Sequence, residues 1–412
     1  MSSTPPLNIL IVGSGLAGLT AAAILRPHHL VTVFERGTDS IATGGQGIII
    51  APNGTKILDS INYNLSRAGA VPILGIRTYT KEGVVLEDVD MDMKERFGAD
   101  CVAMKRSDFR AELLRLATEE NGSGDPVKVV FGKNVVGVDA EEGVVEFGDG
   151  ERVYGDVVIV ADGIHSRLRN AIVNDPSNHY EAQKTGLTCY RIAVDTESAQ
   201  ISLGNLVLPH WWDPQTSSNR SSIIYAGDGT PRFITAYPIH GGSMYNLACI
   251  LQTQDSPKEA SESWYADGDK NKMLELFGDF SEEMRRILSA ATEVKVWELQ
   301  DLEPLPTWTR GRSILIGDAA HAMTPLQGQG ANMSIEDAEA LGLLAPGTRR
   351  EDVPAILRVV EDVRRERVSK VLEETRKSHG NLKVADRVFA NADFNYGYNG
   401  IKETLKARDE TV

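Results

Sequence analysis

Residues 7–18 read LNILIVGSGLAG, an apolar run that passes directly into a glycine-rich turn. A short apolar run that stops at glycine is typical of a buried parallel strand, and the small residues of 16–25 favour a helix after the turn. In such a turn Gly13 permits the tight bend, Gly15 lets the backbone approach a pyrophosphate, and Gly18 allows close packing of the helix on the strand. The pyrophosphate would then lie at the helix N-terminus, where unpaired N–H groups favour negative charge.

An acidic residue follows this turn at a spacing that suits a dinucleotide. Residues 30–34 (LVTVF) read as the second strand of a βαβ unit, and Glu35 ends it. A carboxylate at this place can accept hydrogen bonds from both ribose hydroxyls of an adenosine. The motif by itself does not separate FAD from NAD, and a glycine turn beside an unrelated surface Glu is the simpler alternative. Arg36, directly after Glu35, favours FAD.

A second glycine turn lies late in the chain. Residues 313–318 (SILIGD) read as another buried strand, with Asp318 at its carboxyl end, where ligands bind in α/β sheets. An Asp there can accept a hydrogen bond from a ribityl hydroxyl or from a hydroxyl near the pyrophosphate. Residues 323–338 (MTPLQGQGANMSIEDA) form a proline-braced glycine loop and a helix, whose N-terminus would stabilise the anionic N1–C2=O region of a reduced flavin. The alternative is a plain strand–loop–helix, but the two turns together predict bound FAD.

Size and charge set limits on the class of protein. The chain has 412 residues, 43 Lys and Arg side chains, 58 Asp and Glu side chains and a formal net charge of -15. The length suffices for two domains, and the acidic balance argues against nucleic acid or an anionic membrane surface as a partner, since both favour clustered Lys and Arg. The three cysteines are far apart and fit neither a disulfide framework nor a metal site. No segment has a basic signal-peptide start or about 20 consecutive apolar residues, so we expect a cytoplasmic protein.

The order of elements predicts a nucleotide-binding domain that is interrupted by a second domain. Between the two glycine turns, residues from about 180 to 296 change to aromatic-rich alternating segments, which are typical of antiparallel strands. We therefore expect an α/β fold: a split Rossmann-like FAD-binding domain with an inserted, mostly antiparallel β-sheet substrate domain and a C-terminal helical segment. We also expect helices near 257–266, over 281–291 and over 351–382, and a β-meander over 127–160. The first part of the FAD-binding domain is expected over 1–178, with 70–104 contributing to the substrate sheet. The substrate domain is expected over 179–296. The second part of the FAD-binding domain should span 297–348, and the C-terminal helices 349–412.

Five motifs follow one another along the chain: GSGLAG at 13–18, Glu35-Arg36, KRSD at 105–108, Asp162-Gly163 and Gly317-Asp318. Their order resembles that of single-component (group A) FAD-dependent aromatic hydroxylases, the relatives of p-hydroxybenzoate and salicylate hydroxylase, including fungal members of secondary metabolism. The likeness extends from about residue 7 to residue 380, and it implies non-covalently bound FAD. It also implies that Gly47, Arg106 and Asp162 contact the cofactor and that Asp318 binds the ribityl chain. Pro325 would lie at the catalytic position beside the reacting C4a. Gly330 and Ala331 would offer amides near N1–C2=O.

Two departures from the family pattern are visible. Arg110 stands where the family typically has a histidine. The chain also lacks the long C-terminal extension and the membrane tail of the phenol-hydroxylase and squalene-epoxidase branches, which disfavours both.

The same resemblance implies the chemistry: NAD(P)H reduces FAD, which forms a C4a-hydroperoxide with O2 and passes one oxygen to an electron-rich ring. The protein then has to position the ring, exclude water and stabilise a phenolate, which needs a nearby cation or hydrogen-bond donor. In the aromatic-rich region Arg191 is the first candidate for this catalytic role and Tyr225 the second, while His210, Trp211 and Tyr237 are candidates for binding the substrate. The alternative for each aromatic residue is core packing, and for Arg191 a surface charge.

We therefore predict an FAD-dependent monooxygenase that uses NAD(P)H and O2 to hydroxylate a small aromatic, phenolic substrate. Alternatives are a flavoprotein epoxidase, halogenase or oxidase that acts on a hydrophobic secondary metabolite, and a non-catalytic flavin-binding protein. The sequence has no Trp-x-Trp-x-Ile-Pro pattern of flavin halogenases, which disfavours that branch. It leaves open the identity of the substrate, the choice between NADH and NADPH, and whether the protein forms a homodimer.

Overall fold

The computed structural model describes residues 4–39, 46–213, 217–253, 267–377 and 390–410. Its strands are β1 (Asn8–Val12), β2 (Leu30–Glu35), β3 (Gly47–Ile50), β4 (Val71–Pro72), β5 (Gly75–Thr80), β6 (Val85–Asp90), β7 (Val102–Lys105), β8 (Lys128–Phe131), β9 (Val135–Asp139), β10 (Val144–Phe147), β11 (Arg152–Tyr154), β12 (Val157–Val160), β13 (Gln183–Asp195), β14 (Arg220–Tyr225), β15 (Phe233–Ile239), β16 (Met244–Gln252), β17 (Lys295–Asp301), β18 (Thr309–Arg310) and β19 (Ser313–Leu315). Its helices are α1 (Leu16–Leu25), α2 (Pro52–Ser60), α3 (Met93–Phe97), α4 (Arg106–Thr118), α5 (Arg169–Val173), α6 (Thr196–Leu203), α7 (Lys270–Leu276), α8 (Glu282–Ser289), α9 (Asp318–His321), α10 (Gly330–Ala340), α11 (Val353–Lys377), α12 (Ala392–Tyr396) and α13 (Ile401–Asp409). Within these described ranges, none of the helices combines the length and the apolar composition that crossing a bilayer requires.

The first sheet has six strands in the order β18-β19-β12-β1-β2-β8. All neighbours pair in parallel except β18 and β19, which are antiparallel. β12 is apolar and buried throughout, as expected of a parallel strand that is covered on both faces. The helix that follows β1, α1, packs against α4 and α10. Because β1 and β19 run in the same direction, the two glycine turns at their carboxyl ends lie at the same edge of the sheet.

The second sheet has seven strands in the order β17-β13-β16-β15-β14-β5-β6. Its pairings are antiparallel apart from that of β5 with β14, which is parallel. One face carries the apolar side chains that pack against α6, α7 and α8. This is the expected inserted, mostly antiparallel sheet, so the predicted fold class is confirmed. β5 and β6 lie within 70–104, whereas β17 continues to Asp301, past the expected bound at 296.

Local expectations are met only in part. β8, the first strand of the expected meander, pairs with β2 in the six-stranded sheet, and only β9, β10 and β11 form a meander. The helix expected near 257–266 falls outside the described residues. The helices expected over 281–291 and 351–382 are α8 and α11, the latter described as far as Lys377.

A buried ionic cluster joins α10 to α11. The side chains of Glu336, Asp337 and Arg364 are each at most 1% exposed. Arg364 donates from Nε to Asp337 Oδ1 at 2.9 Å and from Nη1 to Glu336. Asp337 Oδ2 accepts from the Gly317 amide at 2.9 Å and also bonds His321. Burial raises the pKa of Asp337, but His321 and Arg364 outweigh this effect and hold the pKa at about 2.

Replacing Arg364 by Met should lower the free energy of unfolding by about 3–5 kcal/mol, because it removes the buried cation that Glu336 and Asp337 share. Arg358→Met is the matched control, since Arg358 is exposed on the same helix and donates to Pro354 O of its own helix at 3.1 Å. The control should change the free energy by no more than about 0.5 kcal/mol. Urea unfolding followed by circular dichroism measures both, and equal losses would show that the cluster does not stabilise the fold.

The same cluster predicts how the protein responds to acid. A carboxylate with a pKa of about 2 in the fold and about 3.9 in the unfolded chain stabilises the protein above a pH of about 4, and this contribution is lost as the pH falls towards 2. Arg364→Met should raise the folded-state pKa of Asp337 and so reduce the contribution. The midpoint of acid unfolding, followed by tryptophan fluorescence, should then lie at a higher pH than in the wild type. A midpoint at or below that of the wild type would contradict this account of Asp337.

Candidate active site

A cavity of about 480 Å³ lies where the carboxyl edge of the six-stranded sheet meets the seven-stranded sheet. Both glycine turns open into it, through Gly15 and Asp318, and the seven-stranded sheet contributes side chains from the other side. The cavity therefore brings together segments that are far apart in sequence. The predicted site residues that line it are Gly15, Gly47, Arg106, Arg191, Tyr225, Tyr237, Asp318, Pro325, Gly330 and Ala331.

The first glycine turn has the conformation and the space that a bound pyrophosphate needs. Gly13 adopts φ +104°, a region that glycine enters at no steric cost, and a Cβ here would clash with the backbone of Ala161. A Cβ on Gly18 would clash with the Gly13 carbonyl oxygen, so this glycine lets α1 approach β1. At Gly15, by contrast, nothing lies within 4 Å of the position that a Cβ would take. Gly15 therefore leaves room for a ligand beside the N-terminus of α1.

Glu35 holds the first turn through hydrogen bonds to its own chain. Its Oε2 accepts from the Ser14 amide at 2.8 Å and from Ser14 Oγ at 2.7 Å, and its Oε1 accepts from the Gly37 amide at 2.8 Å. Burial raises the pKa of Glu35, but these hydrogen bonds and the charge of Arg110 outweigh it and keep the pKa below its usual range. A carboxylate has about four acceptor positions. One therefore remains for a ribose hydroxyl, where the sequence predicted two.

Arg110, which departs from the family's histidine, supports the same turn. Its Nε donates to Ser14 O at 2.9 Å and its Nη2 donates to Ser14 Oγ at 2.6 Å. The guanidinium thus binds α4 to the backbone of the glycine turn. It also places a positive charge near Glu35, which keeps that carboxylate ionised.

The second glycine turn is fixed by a buried arginine. Asp318 is the first residue of α9 and lines the cavity. Arg169, which is 1% exposed, donates from Nη2 to Asp318 O at 3.2 Å and from Nε to Ala319 O at 2.7 Å. Its Nη2 also donates to Ile164 O at 2.7 Å. This guanidinium therefore connects the turn after β12 to the turn after β19.

The loop after α9 carries the proline and the helix N-terminus to the cavity. Pro325 begins a 3₁₀ turn that ends at Gln327, and α10 begins at Gly330. Pro325, Gly330 and Ala331 all line the cavity. The first amides of a helix have no partner within the helix, so the positive end of α10 faces the cavity.

Five predicted cofactor residues are not among the residues that line the cavity: Gly13, Gly18, Glu35, Arg36 and Asp162. Arg36 is exposed at the end of β2. Asp162 Oδ2 accepts from the Arg167 amide at 3.0 Å and so holds the turn whose Gly163 does line the cavity. Asp162 thus supports this turn, and the cofactor role of Arg36 stays a prediction.

Alternate residues of the seven-stranded sheet face the cavity and the core. On β13, Arg191 lines the cavity, whereas its neighbour Tyr190 lies in the core with α8. Tyr237 on β15 and Asn246 on β16 are paired across the strands, and both line the cavity. Arg191 pairs with Ala248, which is two residues from Asn246 on the same strand. A cation, a phenol and an amide therefore share one part of the cavity wall.

Two of the contacts of Arg191 orient its guanidinium. Its Cζ lies 3.6 Å from the ring centroid of Trp297, which is a cation–π contact, and its Nη1 donates to Gln46 Oε1 at 3.3 Å. Burial lowers the pKa of Arg191 from its ordinary value. An arginine nevertheless keeps its charge at neutral pH. The cavity wall thus contains a positive charge of defined orientation.

Gly47 at the start of β3 lets this strand contact β15 and β16 of the seven-stranded sheet directly. A Cβ on Gly47 would lie 2.6 Å from Tyr237 Cε2 and 2.7 Å from the Asn246 Cβ. The Gly47 amide donates to Asn246 Oδ1 at 2.6 Å. Nδ2 of Asn246 makes no hydrogen bond to the residues that the structure describes, and this side chain lines the cavity. Burial raises the pKa of Tyr237, so its phenol is protonated at neutral pH.

The structure does not bring His210 and Trp211 to the cavity. His210 Nδ1 lies 3.2 Å from Arg77 Nη1 and 3.1 Å from the Tyr79 hydroxyl. Trp211 is 4% exposed and packs against Tyr245 in the core of the sheet. Both residues stabilise the face of the sheet that is turned away from the cavity, and we therefore leave them out of the candidate substrate site.

Four residues of the site were missed from the sequence: Gln46, Arg169, Asn246 and Trp297. Each acts through a partner that is remote along the chain, as Trp297 does with Arg191. Only Arg169 had a sequence signal, because it ends the segment that begins at Asp156 and contains the Asp-Gly motif. The other three required knowledge of strand register.

Comparisons with known proteins agree with this geometry. A family model described as FAD binding domain matches residues 7–375. The chain is 30% identical over 375 residues to the FAD-dependent monooxygenase cfoG of Aspergillus candidus. The matched region covers 90% of this chain and 84% of the relative. It is 30% identical over 405 residues to the 6-hydroxynicotinate 3-monooxygenase of Bordetella bronchiseptica, which covers 97% of each chain.

Solved structures show the same fold. A salicylate hydroxylase substrate complex matches with a TM-score of 0.72 at 25% identity and covers 97% of both chains. CtdE in complex with FAD and a substrate matches with a TM-score of 0.81 at 24% identity and covers 98% of both chains. The family model covers most of the sequence, and its cofactor fits the room at Gly15 and the two helix N-termini at the cavity. The chain belongs to the FAD binding domain family, within its group of single-component FAD-dependent aromatic hydroxylases.

Proposed function

We propose that this protein is an FAD-dependent monooxygenase that uses NAD(P)H and O2 to hydroxylate a small phenolic substrate. The observation that carries the proposal is the cavity, which joins the cofactor turns at Gly15 and Asp318 to the cation of Arg191. A cofactor along the turns and a ring at Arg191 would share one enclosed space, as the transfer of an atom between them requires. The similarity to a 6-hydroxynicotinate monooxygenase supports an aromatic substrate.

In this proposal FAD extends from the first glycine turn to the second. Its ribose lies at Glu35 and its pyrophosphate at Gly15, at the positive end of α1. Arg106, which begins α4 and lines the cavity, adds a positive charge beside the cofactor. Asp318 accepts a hydrogen bond from the ribityl chain.

The N-terminus of α10 would stand beside the flavin ring. The amides of Gly330 and Ala331 stand at the positive end of α10, where they would stabilise negative charge at the N1–C2=O edge. Pro325 lies one short turn before this helix and closes the cavity on the same side.

Bound FAD would accept electrons from NAD(P)H and would activate O2. The chain's own part is to bind and orient the ring and to keep water away from it. Arg191 holds the phenol oxygen and favours its ionised form, because a nearby opposite charge lowers the pKa of an acid. Tyr225 and Tyr237 line the same wall, and apolar side chains such as Ile223 and Phe233 exclude water around them.

Turnover tests the proposal directly. The purified protein should show a flavin spectrum and should oxidise NADH or NADPH faster when a phenolic acid, an indole or a polyketide phenol is added. Mass spectrometry should then detect a product with one additional oxygen atom. A flavoprotein that no aromatic compound stimulates would favour a non-catalytic flavin-binding role. Oxygen consumption without any oxygenated product would indicate an oxidase.

Replacing Gly15 by Val should weaken FAD binding by about 100-fold, roughly 2.7 kcal/mol, because the new side chain fills the room expected for the pyrophosphate. The fold should be unchanged, since Gly15 has φ −73° and nothing lies within 4 Å of its Cβ position. The FAD dissociation constant is measured by quenching of flavin fluorescence, and the fold by circular dichroism. Gly148→Val, in a turn where the nearest atom would be 3.8 Å away, is the matched control. Normal FAD affinity in Gly15→Val would place the cofactor elsewhere.

Replacing Arg191 by Met should weaken the binding of a phenolic substrate by about 10- to 100-fold, because the phenolate loses its cation. The pKa of the bound phenol should also rise by about one unit or more, which the pH dependence of substrate binding measures. Arg191→Lys should recover only part of the loss, since a lysine cannot reproduce the planar contact with Trp297. Arg152→Met changes an exposed arginine on β11 and serves as the control. Unchanged affinity and unchanged pH dependence in Arg191→Met would remove Arg191 from the site.

A further inference from the structure

The short helix α12 forms part of the cavity wall, and contacts with three other helices hold it there. Lys56 Nζ on α2 donates to Tyr396 O at 3.2 Å. Arg367 on α11 donates from Nη2 to Asn395 O at 2.8 Å. The ring of Tyr396 lies 5.4 Å from that of Phe97 on α3, in an edge-on arrangement. Contacts with α2, α3 and α11 therefore fix the position of this helix.

Two side chains of α12 reach the cavity. Asn395 Nδ2 donates to Gln327 Oε1 at 3.3 Å, so the helix touches the 3₁₀ turn that begins with Pro325. Tyr396 is 8% exposed and lies in the apolar lining with Met91. Its hydroxyl makes no hydrogen bond to any residue that the structure describes. Burial raises the pKa of Tyr396, so the phenol is protonated and offers one donor and one acceptor to a bound molecule.

Tyr396 and Arg191 serve different parts of the cavity. Arg191 lies on β13 beside Tyr237, whose pKa its charge lowers against the larger effect of burial. Tyr396 lies beside Cys101, just before β7, and this thiol adds to the raised pKa of Tyr396. The two polar groups therefore belong to different elements and have different neighbours. A molecule that bonds both of them must carry two polar groups.

We propose that Tyr396 determines substrate specificity by hydrogen-bonding a second oxygen substituent of the aromatic substrate, while Arg191 holds the first. This inference rests on the function proposed above. A hydroxyl at a cavity wall without a described protein partner bonds water in the free protein, and a hydroxyl or carbonyl oxygen of a bound molecule can replace that water. A site that bonds a substrate hydroxyl rejects an analogue without it, because the protein group is then left unpaired. The substrate class is an aromatic compound with two oxygen functions, one of them a phenol.

The variant Tyr396→Phe removes the hydroxyl and keeps the ring. The probes are phenol, with one oxygen function, and its derivatives with a second hydroxyl group (catechol, resorcinol and hydroquinone), and binding is measured from the change in flavin absorbance. The wild type should bind at least one dihydroxy compound about tenfold more tightly than its monohydroxy parent. Tyr396→Phe should bind both with the affinity of the parent. In turnover, the same loss should appear in KM and not in kcat.

Tyr398→Phe is the matched control. The Tyr398 hydroxyl belongs to the same C-terminal region, donates to Glu339 Oε2 at 2.8 Å and does not line the cavity. Its loss should lower the thermal unfolding midpoint and leave the ratio of the two affinities unchanged. Tyr396→Phe should show the reverse, with a changed ratio and no loss of thermal stability, because its hydroxyl has no described partner in the protein.

The outcomes separate the two proposals. If the wild type binds the members of each pair equally, or if Tyr396→Phe keeps the wild-type ratio, the role of Tyr396 is wrong and the proposed function stands. If no probe perturbs the flavin and none stimulates NAD(P)H oxidation, the proposed phenolic substrate is wrong, and the inference fails with it.

Discussion

The cofactor side of this protein depends on the carboxylate of Asp337. Its two oxygens bond the Gly317 amide at the end of β19, His321 on α9 and Arg364 on α11. A carboxylate that is 1% exposed stays ionised only because those partners surround it. Since Asp337 itself belongs to α10, one side chain fixes the turn that presents Asp318 relative to the helix that presents its N-terminus. The two elements cannot shift independently without leaving a buried charge unpaired.

The ionic cluster extends from the cofactor side to the substrate side. Glu336 accepts from Asn53 Nδ2 on α2 at 2.7 Å and from Arg367 Nε at 2.7 Å. The same Arg367 reaches the backbone of α12, which carries Tyr396 into the cavity. The flavin-facing end of α10 and the C-terminal part of the substrate wall are therefore built on one set of buried charges. Gly47 adds a second junction, because only a glycine allows β3 to contact Tyr237 and Asn246 at this distance.

The sequence predicted the parts of the site that are local in the chain. The turn at Gly13 and the strand end at Gly317 are each recognisable within a few residues, because glycine geometry and strand ends leave a short pattern. The fold class followed from their order and is confirmed. The supports of these turns were not predictable, since Arg169 reaches Ala319 and Arg110 reaches Ser14 only after the chain has folded. The sequence pattern identified Glu35 as the acidic residue at the end of β2. It did not show that Ser14 and Gly37 occupy most of the acceptor positions of this carboxylate.

The substrate wall was harder to predict because a strand presents its residues alternately to two faces, and composition does not show which face is which. Trp211 and Tyr237 are both large aromatic residues in the same region, yet the first packs in the core and the second lines the cavity. What distinguishes the cavity wall is the state of its polar atoms. Asn246, Tyr237 and Tyr396 line the cavity, and Asn246 Nδ2 and the two hydroxyls make no hydrogen bond among the described residues.

These three residues line the cavity, and none of the three atoms is sealed in the core, so a molecule bound in the cavity can supply their hydrogen-bond partners. Asn246 and Tyr237 lie beside the cation of Arg191, whereas Tyr396 lies in another part of the cavity, so a bound molecule with two polar groups would meet both. The residues proposed to bind the substrate thus differ in kind from those proposed to bind the cofactor. In the proposed function, the glycine turns leave room for FAD, and the polar side chains of the cavity offer hydrogen bonds to the oxygen atoms of the substrate.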